Sequence, residues 1–226
     1  MSLLKVLMAQ FGKSVTAANN FTLDASANNG TMRLARGNAG ATTQDVLLVA
    51  ADGKVDAPQG AKSAGSDVMR ILQLPAKATT SGTFIDFSPV DDTGIPSWAK
   101  EITISLNSVS LSGTSHLLVQ VGNSGGLSTT GYDASSSSLP TTPANVTSTS
   151  GFPVRVATAA ASLGGHVVLT LGAVCTSSHT VNRGDGNTMT GGGTGPLPTT
   201  LDRIRLTTVN GTDTFDAGSV SIIVKG

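Results

Sequence analysis

The chain has 226 residues, 14 Lys plus Arg against 14 Asp plus Glu, one Cys, and only 4% aromatic residues. Zero net charge with 12% charged residues leaves no electrostatic footprint for a polyphosphate, so nucleic acid is not an expected partner. With 27 Gly and about 55 Ser and Thr, small polar residues exceed a third of the chain, a composition of all-β surface modules rather than core-rich enzymes. The 38% of apolar residues supports one domain of moderate size plus an arm, and no second full-sized domain.

The amino-terminal segment is apolar through Leu3, Leu4, Val6, Leu7 and Phe11, but Lys5 interrupts it. The run is too short for a signal-peptide core or a membrane span, which predicts a soluble chain made in the cytoplasm, with no membrane insertion. An apolar terminus left in water frays, so burial of this segment against a partner is expected. Next come short alternating stretches, residues 21–23 and 31–35, with Asn28, Asn29 and Gly30 between them; Asn-Gly takes up positive φ cheaply and predicts a hairpin. Residues 46–49 followed by Asp52, Gly53, Lys54 and Val55 repeat the device. Two such hairpins are too little to bury a core alone, so residues 1–60 are expected to be an extended oligomerising arm.

Pro, Gly and small polar residues over 57–66 then read as a linker, assigned to 61–81, within which residues 67–74 carry a strand pattern. From residue 82 onward, short stretches alternate or run apolar between turn signals: 82–87, 101–106, 116–121, 152–157, 166–174, 202–209 and 220–224. Seven or more such strands without a three-turn amphipathic helix predict an all-β, β-sandwich or jelly-roll-like domain over 82–226. Residues 96–100 suggest one short turn, with Trp98 as a core plug ahead of a strand. Cys175, alone and at the end of an apolar run, reads as a buried side chain that forms no disulfide within the chain.

Two stretches, 129–151 and 177–200, consist of Ser, Thr, Gly and Pro with almost no apolar anchors, and are expected to be long loops that present a recognition surface. Tyr132, Asp133, His179, Arg183 and Asp185 are the side chains there best equipped to touch a receptor. Arg183, Gly184 and Asp185 form an Arg-Gly-Asp tripeptide in a turn-rich context; a single carboxylate there is too little for a calcium loop.

Nothing points to catalysis. The histidines, His116, His166 and His179, lie in separate segments, and there is neither a Gly-x-Ser-x-Gly elbow nor a His-Glu-x-x-His motif. Phe11, Gly12, Lys13 and Ser14 end like a phosphate-binding loop but lack its earlier Gly. Asp86, Asp91, Asp92 and Asp133 are the candidate carboxylates for glycoside cleavage, yet one Trp and one Tyr supply few sugar platforms. No cofactor or metal is expected. Asn-x-Ser/Thr sequons stand at Asn29, Asn145 and Asn210 and carry no weight as a functional signal.

Residues 94–104, beginning Gly94-Ile95-Pro96-Ser97-Trp98, and residues 118–132, with Gly122-Asn123-Ser124-Gly125-Gly126, resemble a module of tailed-bacteriophage and prophage virion proteins, the tail-fibre or tail proteins. Residues 201–219 are similar to its closing motif, and residues 30–45 to pieces near the start of phage fibre proteins. The three module blocks, residues 30–45 apart, together cover about 82–226. In that module Ile-Asp-Phe leads almost directly to Thr-Gly-Ile-Pro, whereas here Ser88, Pro89, Val90, Asp91 and Asp92 intervene. The resemblance implies a virion structural protein of the tail, a homotrimer docked through Leu3, Leu4, Val6, Leu7 and Phe11 on tail or other virion proteins. Its β-sandwich would attach to a host cell-surface glycan. The alternative is a capsid decoration or head-fibre protein that binds no receptor.

Overall fold

The computed structural model describes residues 8–11, 21–24, 32–38, 41–49, 55–56, 62–63, 66–67, 70–138 and 144–226. The chain forms two compact units, Met1–Val68 and Met69–Gly226.

In the first unit, β1 (Met8–Phe11), β2 (Phe21–Asp24), β3 (Met32–Asn38), β4 (Ala41–Val49) and β5 (Val55–Asp56) form an antiparallel sheet in chain order. Both expected hairpins are present, with Asp24 opposite Arg33 and Val49 opposite Val55. The amino-terminal segment contributes to this sheet, since Phe11 of β1 pairs with Phe21 of β2. Asp24 is buried and accepts hydrogen bonds from Arg33 Nε and Nη2 at 3.1 and 3.0 Å, an opposite-charge pair directly across the ladder. β6 (Lys62–Ser63) and β7 (Ser66–Asp67) make a small ladder of their own. Leu3, Leu4, Val6 and Leu7 lie outside the described residues, as do Gly12, Lys13 and Ser14.

The second unit is a sandwich of two antiparallel sheets. The strands are β8 (Ile71–Ala78), β9 (Phe84–Phe87), β10 (Glu101–Leu111), β11 (Leu117–Asn123), β12 (Gly126–Leu127), β13 (Asp133–Ser138) and β14 (Ala144–Ser148), followed by β15 (Phe152–Val154), β16 (Leu163–Leu171), β17 (Cys175–Arg183), β18 (Thr188–Gly195), β19 (Arg203–Thr208) and β20 (Phe215–Lys225). The larger sheet runs β14-β13-β18-β17-β16-β10-β20-β8; the smaller runs β12-β11-β19-β9, with β15 beside β11. Strand alternation sends Ile102, Ile104, Val167, Leu169, Ile222 and Val224 of the large sheet inward against Phe87, Val119, Val121, Ile204 and Leu206 of the small one, all in one buried cluster. Trp98 packs on this cluster just ahead of β10, within a turn closed by the Ala99 N–H to Pro96 carbonyl bond at 3.0 Å.

Three expectations are corrected. The linker assigned to 61–81 holds β6, β7 and β8, and the second unit begins at Met69 rather than at 82. β8 is an edge strand: Leu74 is buried on the core side, and Pro75, which has no N–H to donate, is tolerated at an edge. The supposed loops 129–151 and 177–200 are largely β13, β14, β17 and β18, half of the large sheet. Apart from Val181 and Met189, their core-facing positions carry mostly small or polar residues, so the period-2 signal is faint although β13, β17 and β18 are paired on both sides. The apolar run 166–174 is not one strand. It ends β16 at Leu171, turns through Gly172, Ala173 and Val174, and returns as β17 from Cys175.

Residues 88–92 form an ordered corner. A 3-10 turn, Pro89–Asp91, ends on Asp92 in the left-handed region at φ 57°. Thr93 Oγ1 accepts the Ser88 N–H at 3.1 Å and donates to Asp91 Oδ1 at 2.5 Å. Burial opposes ionisation of Asp91, but hydrogen bonds from Lys77 and Thr93 outweigh it and hold the carboxyl down at about 2.

Candidate functional site

The residues expected to face a receptor are dispersed, and three of them are buried. Tyr132 is 3% exposed, packs edge-on against Phe152 with ring centroids 5.0 Å apart, accepts the Val121 N–H at 3.0 Å and donates to the Ser128 carbonyl at 3.1 Å. Burial pushes its phenol up to about 12. His179 is on the core face of β17 and Arg183 ends that strand, also buried. Asp133 and Asp185 are exposed, Asp133 at the start of β13 and Asp185 in the β17–β18 turn. The Arg-Gly-Asp tripeptide is folded on itself: Arg183 Nε and Nη2 donate to Asp185 at 2.9 and 2.8 Å while Nη1 donates to the Val156 carbonyl. That guanidinium holds the Asp185 carboxyl well below the usual range. An arginine spent on its own loop offers an adhesion partner nothing.

Beneath β13, β17 and β18 lies a polar layer within the sandwich. Ser136 Oγ accepts the Arg155 N–H at 3.0 Å and is hydrogen-bonded to His179 Nε2 at 2.9 Å, with a hydroxyl able to give or take that bond according to the imidazole tautomer. Arg155 Nη1 reaches Ser138 Oγ at 2.9 Å. His179 Nδ1 and Ser177 Oγ have no hydrogen-bond partner among the described residues. Gly191 opposes His179 across the ladder, and a Cβ there would stand 2.6 Å from His179 Cε1; the missing side chain makes room for the ring. Burial drives the imidazole down to about 4, so His179 is neutral at pH 7. With Ser136 fully buried and no carboxylate on Nδ1, the Ser136–His179 pair is closed to a substrate. His116 has a comparable packing role, its Nδ1 accepting the Val156 N–H at 3.2 Å. His166 lies inside β16 and faces outward rather than opening a strand.

The Ser/Thr excess belongs to the outward face of the large sheet. One row in register runs Asn145, Ser137, Thr190, Thr180, His166, Ser105 and Ser221 across seven strands. The result is a broad hydroxyl-bearing surface on a hydrogen-bonded platform.

The outward face of the small sheet carries a cleft of ≈ 480 Å³. Its floor is Leu118 and Gln120 of β11, outward-facing yet only 3% and 7% exposed. They are covered by the chain between β14 and β15, where Gly151 allows the crossing: a Cβ at that position would stand 2.6 Å from Leu118 Cγ. One wall is Arg205 of β19, whose Nε and Nη2 each donate to Asp86 at 2.6 Å and whose guanidinium lies 4.0 Å over the Phe84 ring. Gln120 Nε2 donates to the Ser150 carbonyl at 2.8 Å, and Thr207 Oγ1 to the Thr83 carbonyl at 2.9 Å. The rim is the turn at Asn210, whose Oδ1 accepts the Thr212 and Asp213 N–H groups at 3.1 Å each. Nothing in the composition of 83–84 or 205–211 singles this cleft out, because its residues meet only through the β9–β19–β11 pairing.

The four candidate carboxylates do not assemble as a hydrolytic pair. Asp86 is engaged by Arg205, Asp91 by Lys77, Asp92 closes a turn, and Asp133 belongs to the other sheet. Among the described residues, no group of three or more His, Cys, Asp or Glu is gathered as metal ligands. Comparisons with protein-family models, curated proteins and solved structures return no match to this chain.

Proposed function

We propose that the chain is a bacteriophage virion structural protein, a tail-fibre subunit anchored through its first unit and using its β-sandwich for reversible attachment to the host surface. The observation that carries this reading is how the three blocks resembling the phage module pack together. Residues 94–104 lead into and begin β10, 118–132 comprise β11, β12 and Tyr132, and 201–219 comprise β19 and the start of β20. The Ile95 N–H donates to the Asp202 carbonyl at 2.9 Å, β11 pairs with β19, and β10 pairs with β20. The blocks therefore form one continuous half of the sandwich, which supports their being inherited as one module.

Attachment would act through many weak polar contacts, for which hydroxyl rows on a rigid sheet and a polar cleft are suited. Three copies side by side would multiply a weak single-site affinity by effective concentration. The amino-terminal apolar residues would dock on a tail protein. Electron microscopy of intact virions carrying a gold-labelled antibody against the sandwich tests the assignment: label on tail fibres is expected. Label confined to the capsid would instead favour a decoration or head-fibre protein.

A further inference from the structure

Resting on the host-attachment reading, we infer that the cleft formed by Phe84, Gln120, Arg205, Thr207 and the Asn210 turn is a binding site for a neutral saccharide. Its walls are fixed before any ligand arrives, because Asp86 holds Arg205, the Ser150 carbonyl holds Gln120, and the Asn210 turn is closed by its own side chain. Two polar groups are nevertheless left over. Among the described residues, neither Arg205 Nη1 nor Gln120 Oε1 has a hydrogen-bond partner. A donor pair beside an amide acceptor suits adjacent ring hydroxyls, each of which both gives and takes a hydrogen bond.

The charge balance selects against anions. Asp86 accepts from two nitrogens of Arg205, so a phosphate or carboxylate entering the cleft would meet a guanidinium already neutralised. The apolar element fits a sugar as well: Phe84 is 48% exposed on the outward face of a strand whose inward-facing Phe87 is fully buried, and the ring, held on one side by the stacked arginine, has its other face to offer to sugar C–H groups. The volume falls within the range of small-ligand pockets.

Saturation-transfer NMR on the full chain with rhamnose, lactose, maltose and N,N′-diacetylchitobiose, each at about 50 mM to reveal millimolar sites, tests this, with inorganic phosphate and sialic acid as the anionic arm. At least one neutral sugar is expected to bind. Phe84→Ala and Arg205→Lys should each weaken binding roughly tenfold at unchanged melting temperature, whereas Val174→Ala, exposed in the β16–β17 turn and outside both the cleft and the hydroxyl row, should leave it intact. Failure of every neutral sugar, binding of the anions alone, or undiminished binding by Phe84→Ala would overturn the inference. Adsorption to host cells separates it from the reading beneath it. Equal adsorption by the wild-type and Phe84→Ala chains would sink the cleft and spare attachment; cleft-dependent sugar binding without adsorption of either would keep the site and sink attachment.

Discussion

His179 couples the stability of the sandwich to pH. Its imidazole is neutral and buried in the fold, with its titration brought down to about 4 by burial, while an unfolded chain restores the ordinary value near 6.5. The unfolded state therefore binds the proton first. The contribution of neutral His179 is fully present above about pH 6.5 and is lost progressively as pH falls toward 4. Between pH 7 and pH 4.5 this amounts to about 2 kcal/mol, and His116, also lowered by burial and then by Arg155, adds in the same direction. Urea unfolding at the two pH values should show a larger loss for the wild type than for His179→Gln. Equal losses would show that this imidazole titrates alike in both states. Arg183 makes a second residue-scale case. Arg183→Ala leaves the buried Val156 carbonyl without the guanidinium and Asp185 with only the Asn187 N–H, and should cost about 1–3 kcal/mol in thermal unfolding, the signature of a structural rather than adhesive arginine.

At the scale of elements, the strands legible in the sequence are those whose core-facing positions are aliphatic, such as Ile102, Ile104 and Leu106 of β10 and Ile204 and Leu206 of β19. β13 and β17 escape the same reading because Ser136, Ser138, Ser177 and His179 occupy core-facing positions, so polar side chains stand where apolar ones would mark the period. The available signal was weaker: Thr176, Thr180, Thr190 and Thr194 recur at outward positions with the β-branched preference for strands. Of the candidate site, Tyr132 and Arg183 were visible as unusual residues, but their burial, and the cleft between β9 and β11, depend on pairings between strands over a hundred residues apart in the case of β9 and β19. Two substitutions probe this half of the sheet. Gly191→Ala should destabilise by more than ~2 kcal/mol, since its Cβ would collide with the Ser135 carbonyl and the His179 ring. Neighbouring Thr190→Ala, facing outward, should stay within about 0.5 kcal/mol. The β8 edge yields a third test: a fragment of residues 69–226 should unfold cooperatively, whereas residues 82–226, with β20 uncovered and the Arg70–Gly226 backbone bonds gone, should melt at clearly lower temperature or aggregate.

For the whole molecule, the two units carry separable tasks on the proposed reading. Deleting residues 1–21 removes β1 and the apolar segment before it, and should abolish incorporation into particles while leaving the melting transition of the sandwich unchanged. Normal incorporation of that deletion would remove the anchoring assignment. Mass photometry of the full chain should give three times 22.6 kDa if the fibre is a trimer. On the proposed reading the sandwich attaches to the host surface, and competition of phage adsorption by the purified full chain measures that attachment directly. Addition of the protein should slow adsorption of the parent phage in proportion to its occupancy of the cells; an adsorption rate unchanged at saturating protein, with no protein retained on the cells, would contradict host attachment by the sandwich.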